Sequence, residues 1–101
     1  MEAPRDVLAE LQAWFVAHCN DEWEHSDGVS ITSLDNPGWS IEIQLGETEV
    51  ATRSFPRREA HRSSEDWIVC WQDETIFRGA CGPLNLTETI AMFLDWAASA
   101  A

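Results

Sequence analysis

The string Leu34-Asp35-Asn36-Pro37-Gly38-Trp39 separates two stretches in which apolar and polar side chains alternate. Before it, Val29 and Ile31 alternate with Ser30 and Thr32, and Leu34 breaks the parity, which predicts a bulge or a strand end there. After it, Trp39, Ile41, Ile43 and Leu45 alternate strictly with Ser40, Glu42 and Gln44. A period of two sends successive side chains to opposite faces, so the second stretch is a half-buried strand with one polar face. Pro37 presets φ at the first central position of a turn. Gly38 is expected to supply the positive φ that a type II turn needs at the second. Two strands joined so tightly form an antiparallel hairpin.

Helical spacing brackets this region. Val7, Leu8, Leu11, Trp14, Phe15 and Cys19 form one stripe, predicting a helix over Val7 to Cys19. Pro4 suits its first turn, and Asp6 complements its positive N-terminal end. Near the other end Leu86, Ile90, Phe93, Leu94 and Ala97 share a face, with Met92 and Trp96 beside it. Asn85 as N-cap with Glu88 three residues on resembles a capping box.

Asn20 to Gly28 reads as a polar stretch between elements. Between Gly46 and Ser64 the pattern is weaker: Val50 to Phe55 is read as a short strand and Arg57 to Arg62 as an edge strand. Trp67 to Trp71 and Thr75 to Ala80 read as strands around a turn at Gln72 to Glu74. Helices outside and antiparallel strands between predict an α+β fold forming one domain over residues 1–101. Four or five antiparallel strands should carry the N-terminal and C-terminal helices on one face.

Eighteen acidic residues stand against six arginines and no lysine, a formal net charge of −12. Such a field repels phosphate backbones and anionic lipid, and it attracts basic proteins. The N-terminus has no basic leader and no apolar run of spanning length, and Cys19, Cys70 and Cys81 form an odd set without a Cys-x-x-Cys pair. The expectation is a cytoplasmic protein with reduced thiols.

Several strings together resemble the immunity protein 53 family. They are Trp23-Glu24-His25 followed by Gly28, Leu34 to Trp39, Asp66-Trp67, Cys70, Gly82-Pro83-Leu84-Asn85-Leu86 and Phe93-Leu94-Asp95-Trp96. The resemblance covers the first helix to Trp96 and is weakest over Gly46 to Ser64. It implies a bacterial protein of a polymorphic toxin system that neutralises a toxin encoded beside it, with a protein as its partner. It carries over no catalytic residue.

Trp67, Val69 and Trp71 point to one side of their strand while Ile68 and Cys70 point to the other. The row is therefore either a partner-binding surface, with Glu42, Asp73 and Glu74 as acidic neighbours, or covered by the rest of the chain. Arg53, Arg57, Arg58 and Arg62 concentrate the basic charge. The acidic surroundings favour an edge strand guarded by charge over a phosphate site. His18, Cys19, Glu24 and His25 match no standard zinc spacing, so they are read as structural, with Cys19 packing as a small hydrophobe. No metal or cofactor is expected. The enzymatic alternative is a small thiol enzyme, such as a sulfurtransferase, using Cys81 in a loop before a helix. No basic residue follows within Cys81 to Thr87 to hold an anion, so binding is preferred over catalysis.

Overall fold

The computed structural model describes residues 5–26 and 28–99, so Pro4 lies outside the described residues. In chain order the elements are α1 (Val7–His18), α2 (Trp23–Ser26), β1 (Val29–Leu34), β2 (Gly38–Gln44), β3 (Arg58–His61), β4 (Trp67–Asp73), β5 (Ile76–Cys81) and α3 (Leu86–Ala98). The strands form one antiparallel sheet in the order β1-β2-β5-β4-β3. The expected α+β architecture is what the chain adopts.

Asp6 does more at the start of α1 than complement a dipole: its carboxylate accepts the Ala9 N–H at 3.0 Å. Val7 and Leu11 are buried, and Trp14 and Phe15 are half-buried. Cys19 lies beyond the helix and is exposed, its thiol turned to the Phe15 carbonyl oxygen at 3.3 Å. The expectation that it packs as a hydrophobe fails because the stripe leaves the core one turn earlier.

Every second residue of the inner strands turns toward the helices. Ile41, Ile43, Ile68, Cys70, Phe77 and Cys81 are buried together with Val7 and Leu11 of α1 and Ile90, Phe93 and Leu94 of α3. Both helices thus cover the same face of the sheet. Phe77 is the hub, with ring centroids 4.9 Å from Phe55 and 5.0 Å from Phe93, and Trp14 lies 5.0 Å beyond Phe93. Such tilted and edge-on aromatic contacts add to plain area burial. Helix α3 sits close because β5 offers Gly79 beneath it, where a Cβ would crowd the Ile41 and Thr89 methyl groups.

The structure corrects three further expectations about turns and strands. Gly38 does not take a positive φ: it is the first residue of β2, paired with Leu34 across a three-residue connection, Asp35 to Pro37. Glycine is needed there because a Cβ would overlap the carbonyl oxygen of Cys81. Val50 to Phe55 forms turns and extended coil instead of a strand, although Val50 and Phe55 are both buried. The β4–β5 turn is Glu74-Thr75, because Gln72 and Asp73 stay in register with Phe77 and Ile76.

Asn85 occupies the N-cap position of α3 but makes no side-chain cap bond. Its side chain is drawn elsewhere: the oxygen accepts the Trp67 N–H at 3.2 Å and the amide donates to Asp66 at 2.9 Å. Glu88 pairs with Arg62, so the capping box is not made. The Asn85 amide and then Arg62 hold the Asp66 carboxyl below its usual range.

Gly38→Ala and Gly38→Asn should each lower stability by about 1–3 kcal/mol, since both add the same Cβ against a backbone oxygen. Chemical denaturation tests this. A clear advantage for Asn, which tolerates left-handed backbone, would point back to a positive φ.

Candidate partner-binding face

The strand register places the outward residues of the sheet side by side. On β4 the row is Trp67, Val69 and Trp71; on β5, Val69 faces Ala80 and Trp71 faces Arg78. One strand further, Ser40 faces Ala80 and Glu42 faces Arg78. On the other flank Glu59 faces Val69 and His61 faces Trp67. Trp67, Val69, Trp71, Ile76 and Ala80 are half-buried, and none of them belongs to the core cluster or packs against it. The row therefore lies on the side of the sheet away from the helices. The open and covered alternatives meet partway, because Arg57 from the preceding segment reaches over the Trp71 ring at 5.6 Å. Cation–π contact of this kind braces an aromatic side chain without burying it.

The indole N–H groups sort the tryptophans. Trp23 donates to the Gln44 carbonyl at 2.8 Å, Trp39 to Pro83 at 3.0 Å and Trp96 to Ser54 at 3.1 Å. The Trp14 N–H is buried without a partner. The indole N–H groups of Trp67 and Trp71 donate to nothing among the described residues, which leaves two amphipathic rings with free donors on one rigid strand. Such side chains anchor interfaces well.

The carboxylates of this face are committed. Arg78 pairs with Glu42 and, at 3.1 Å, with Asp73; Arg57 pairs with Glu59 at 2.7 Å. Local charge is thus nearly compensated. Glu42 and Asp73 lie on the face as expected from the sequence, whereas Glu74 sits exposed in the β4–β5 turn at its rim. The excess acidity lies elsewhere: between Arg5 and Arg53 the chain carries nine acidic residues besides Glu42 and no arginine or lysine.

The arginine cluster is spent on the protein itself. Arg62 bridges Asp66 and Glu88, and Arg53 donates to the Ala97 carbonyl and the Ser99 hydroxyl. Arg57 and Arg58 flank and begin β3, the edge strand. His18 Nδ1 lies 2.7 Å from the Trp14 carbonyl oxygen, and Glu24 accepts the Asn20 and Asp21 amides. His25 groups instead with Asp21 and Glu24 at the surface.

Cys81 is the last residue of β5, not part of a loop, and it is buried. Burial pushes its thiol up, while the Thr89 side chain and the Trp39 backbone pull it down more weakly. Cys70 is pushed up to about 12, chiefly by burial and then by Cys81. A nucleophilic thiol needs the opposite shift and an open approach.

Two residues belong to strings that carry the family resemblance, but no periodicity places them. Trp23, in the stretch read as polar, is 1% exposed and seats the short α2 against the β2 end. Leu84 is 93% exposed on a loop whose neighbours are fixed by the Trp39–Pro83 and Asn85–Gly82 bonds.

The sequence profile of immunity protein 53 matches residues 8–98, nearly the whole chain. The chain belongs to the immunity protein 53 family. No curated protein and no solved structure gives a significant match. Membership brings an immunity role at the level of the family, and this family member sets a half-buried tryptophan row outside its core, flanked by charged residues.

A thiol-specific disulfide reagent should label Cys19 rapidly in the folded protein, and Cys70 and Cys81 only on unfolding. Rapid native labelling of Cys81 would restore the thiol-enzyme reading.

Proposed function

We propose that the protein is a cytoplasmic immunity protein that neutralises a co-encoded bacterial toxin by binding it, without chemistry of its own. The outward face built on Trp67, Val69 and Trp71 is the contact surface. The observation that carries this reading is the row itself: two tryptophans with free N–H donors, outside the core, on a strand paired on both sides. Family membership supplies the class of partner.

The two halves of the job fall to different parts of the molecule. The acidic excess between Arg5 and Arg53 steers a basic partner at long range. The charge-compensated aromatic face then sets how long the complex lasts, because buried aromatic anchors act mainly on dissociation. A toxin acting on nucleic acid would present a basic substrate site, for which an acidic inhibitor competes directly.

Co-expression with the toxin encoded beside it should protect cells. Association should slow steeply as salt rises, the screening length being about 8 Å at physiological ionic strength. Trp67→Ala and Trp71→Ala should each speed dissociation by about tenfold or more while changing association by less than about threefold. Failure of the wild type to protect would end the immunity reading; unchanged dissociation in both variants would move the contact off this face.

A further inference from the structure

The two edges of the sheet differ in kind. Edge strand β3 is short, carries Arg58, Glu59 and His61, and is flanked by Arg57 and Arg62. Charged side chains on a short strand discourage further pairing. The opposite edge, β1, runs six residues, Val-Ser-Ile-Thr-Ser-Leu, with no charge, proline or glycine. Its four central residues are all exposed.

The phase of the ladder shows which backbone groups face outward. Gln44 N–H donates to the Gly28 carbonyl at 2.9 Å, and Gly28 and Gln44 are the next pair beyond Val29 and Ile43. Hydrogen-bonded and non-bonded pairs alternate in an antiparallel ladder. Ser30, Thr32 and Leu34 therefore turn their backbone groups to β2, and Val29, Ile31 and Ser33 turn theirs away from the sheet. Among the described residues these outward groups have no partner. Three N–H and three C=O groups thus stand at strand spacing along an uncharged edge.

We infer that β1 accepts an extended basic segment of a protein partner as a sixth, antiparallel strand. Charge selects this occupant. Asp21, Glu22 and Glu24 lie before β1 in the chain, Asp35 follows it, and no arginine or lysine occurs from Asp6 to Thr52. A second copy paired antiparallel on β1 would set the Asp35 end of one chain toward the acidic end of the other, with −12 on each. A segment with lysine or arginine at both ends meets those carboxylates favourably, while main-chain bonds supply the pairing. The inference draws its partner class from the toxin-binding reading, but the edge can be tested without a toxin.

The probe is a blocked peptide, Lys-Lys-Thr-Val-Thr-Val-Thr-Lys-Lys, titrated into the full chain and followed by amide hydrogen exchange in NMR. At saturation the Val29, Ile31 and Ser33 amides should exchange at least about tenfold more slowly. Ser33→Pro, which removes an outward N–H and no bond to β2, should weaken binding by about tenfold. The same peptide N-methylated at its strand-facing amides should bind no better than that. Absent binding, equal binding of the N-methylated peptide, or protection confined to other amides overturns the inference. So does protection of these three amides that grows with protein concentration alone, which would assign the edge to a second copy. A negative peptide result leaves the Trp67–Trp71 test standing, and failure to protect cells leaves the peptide result standing.

Discussion

The arrangement of the molecule depends on Phe77. It sits on the central strand, fully buried, and gathers Phe55 and Phe93 around its ring, with Trp14 and Trp96 packed beyond them. Building that aromatic layer uses both long helices. Among the described residues no further helix is left to cover the second face of the five-stranded sheet. The open face is therefore a consequence of how the core is made, and β4 can carry tryptophans there without weakening the core.

The same economy separates charge from contact. Arginines gather where the chain leaves β2 and builds the β3–β4 side, and nearly all of them pair with carboxylates or with backbone oxygens. The aromatic face is left close to neutral. Among the described residues of the acidic first half only Glu10 and Glu42 meet an arginine, so most of its charge acts at a distance instead of within the contact. Exposed ion pairs contribute little to stability. Their effect here is to set where the field points.

The elements that could be read from the sequence are those whose signal is local. Strict alternation from Trp39 to Leu45, the helical stripes of Leu86 to Ala97, and the opposed faces of Trp67 to Trp71 all survive into the structure. Three of the misreadings share a cause: each residue answers to something distant in sequence. Gly38 is glycine because of the Cys81 carbonyl, not because of its own turn. Asn85 gives its side chain to Asp66 and Trp67 and so abandons the cap that spacing predicts. Val50 and Phe55 are buried without a strand, because the segment is held by the aromatic core and by the Phe55 N–H bond to Gln72. Of the candidate site, periodicity could place Trp67, Val69 and Trp71 together but could not show whether another layer covered them.

The most direct test of the central claim is the set of tryptophan indole N–H signals in two-dimensional NMR while the toxin encoded beside this protein is added. The indoles of Trp23, Trp39 and Trp96 are bonded inside the fold, and those of Trp67 and Trp71 are free. If the outward face is the contact surface, the Trp67 and Trp71 signals shift or broaden in proportion to bound toxin while those of Trp14, Trp23, Trp39 and Trp96 hold their positions. Saturable binding that leaves Trp67 and Trp71 unmoved would contradict the account.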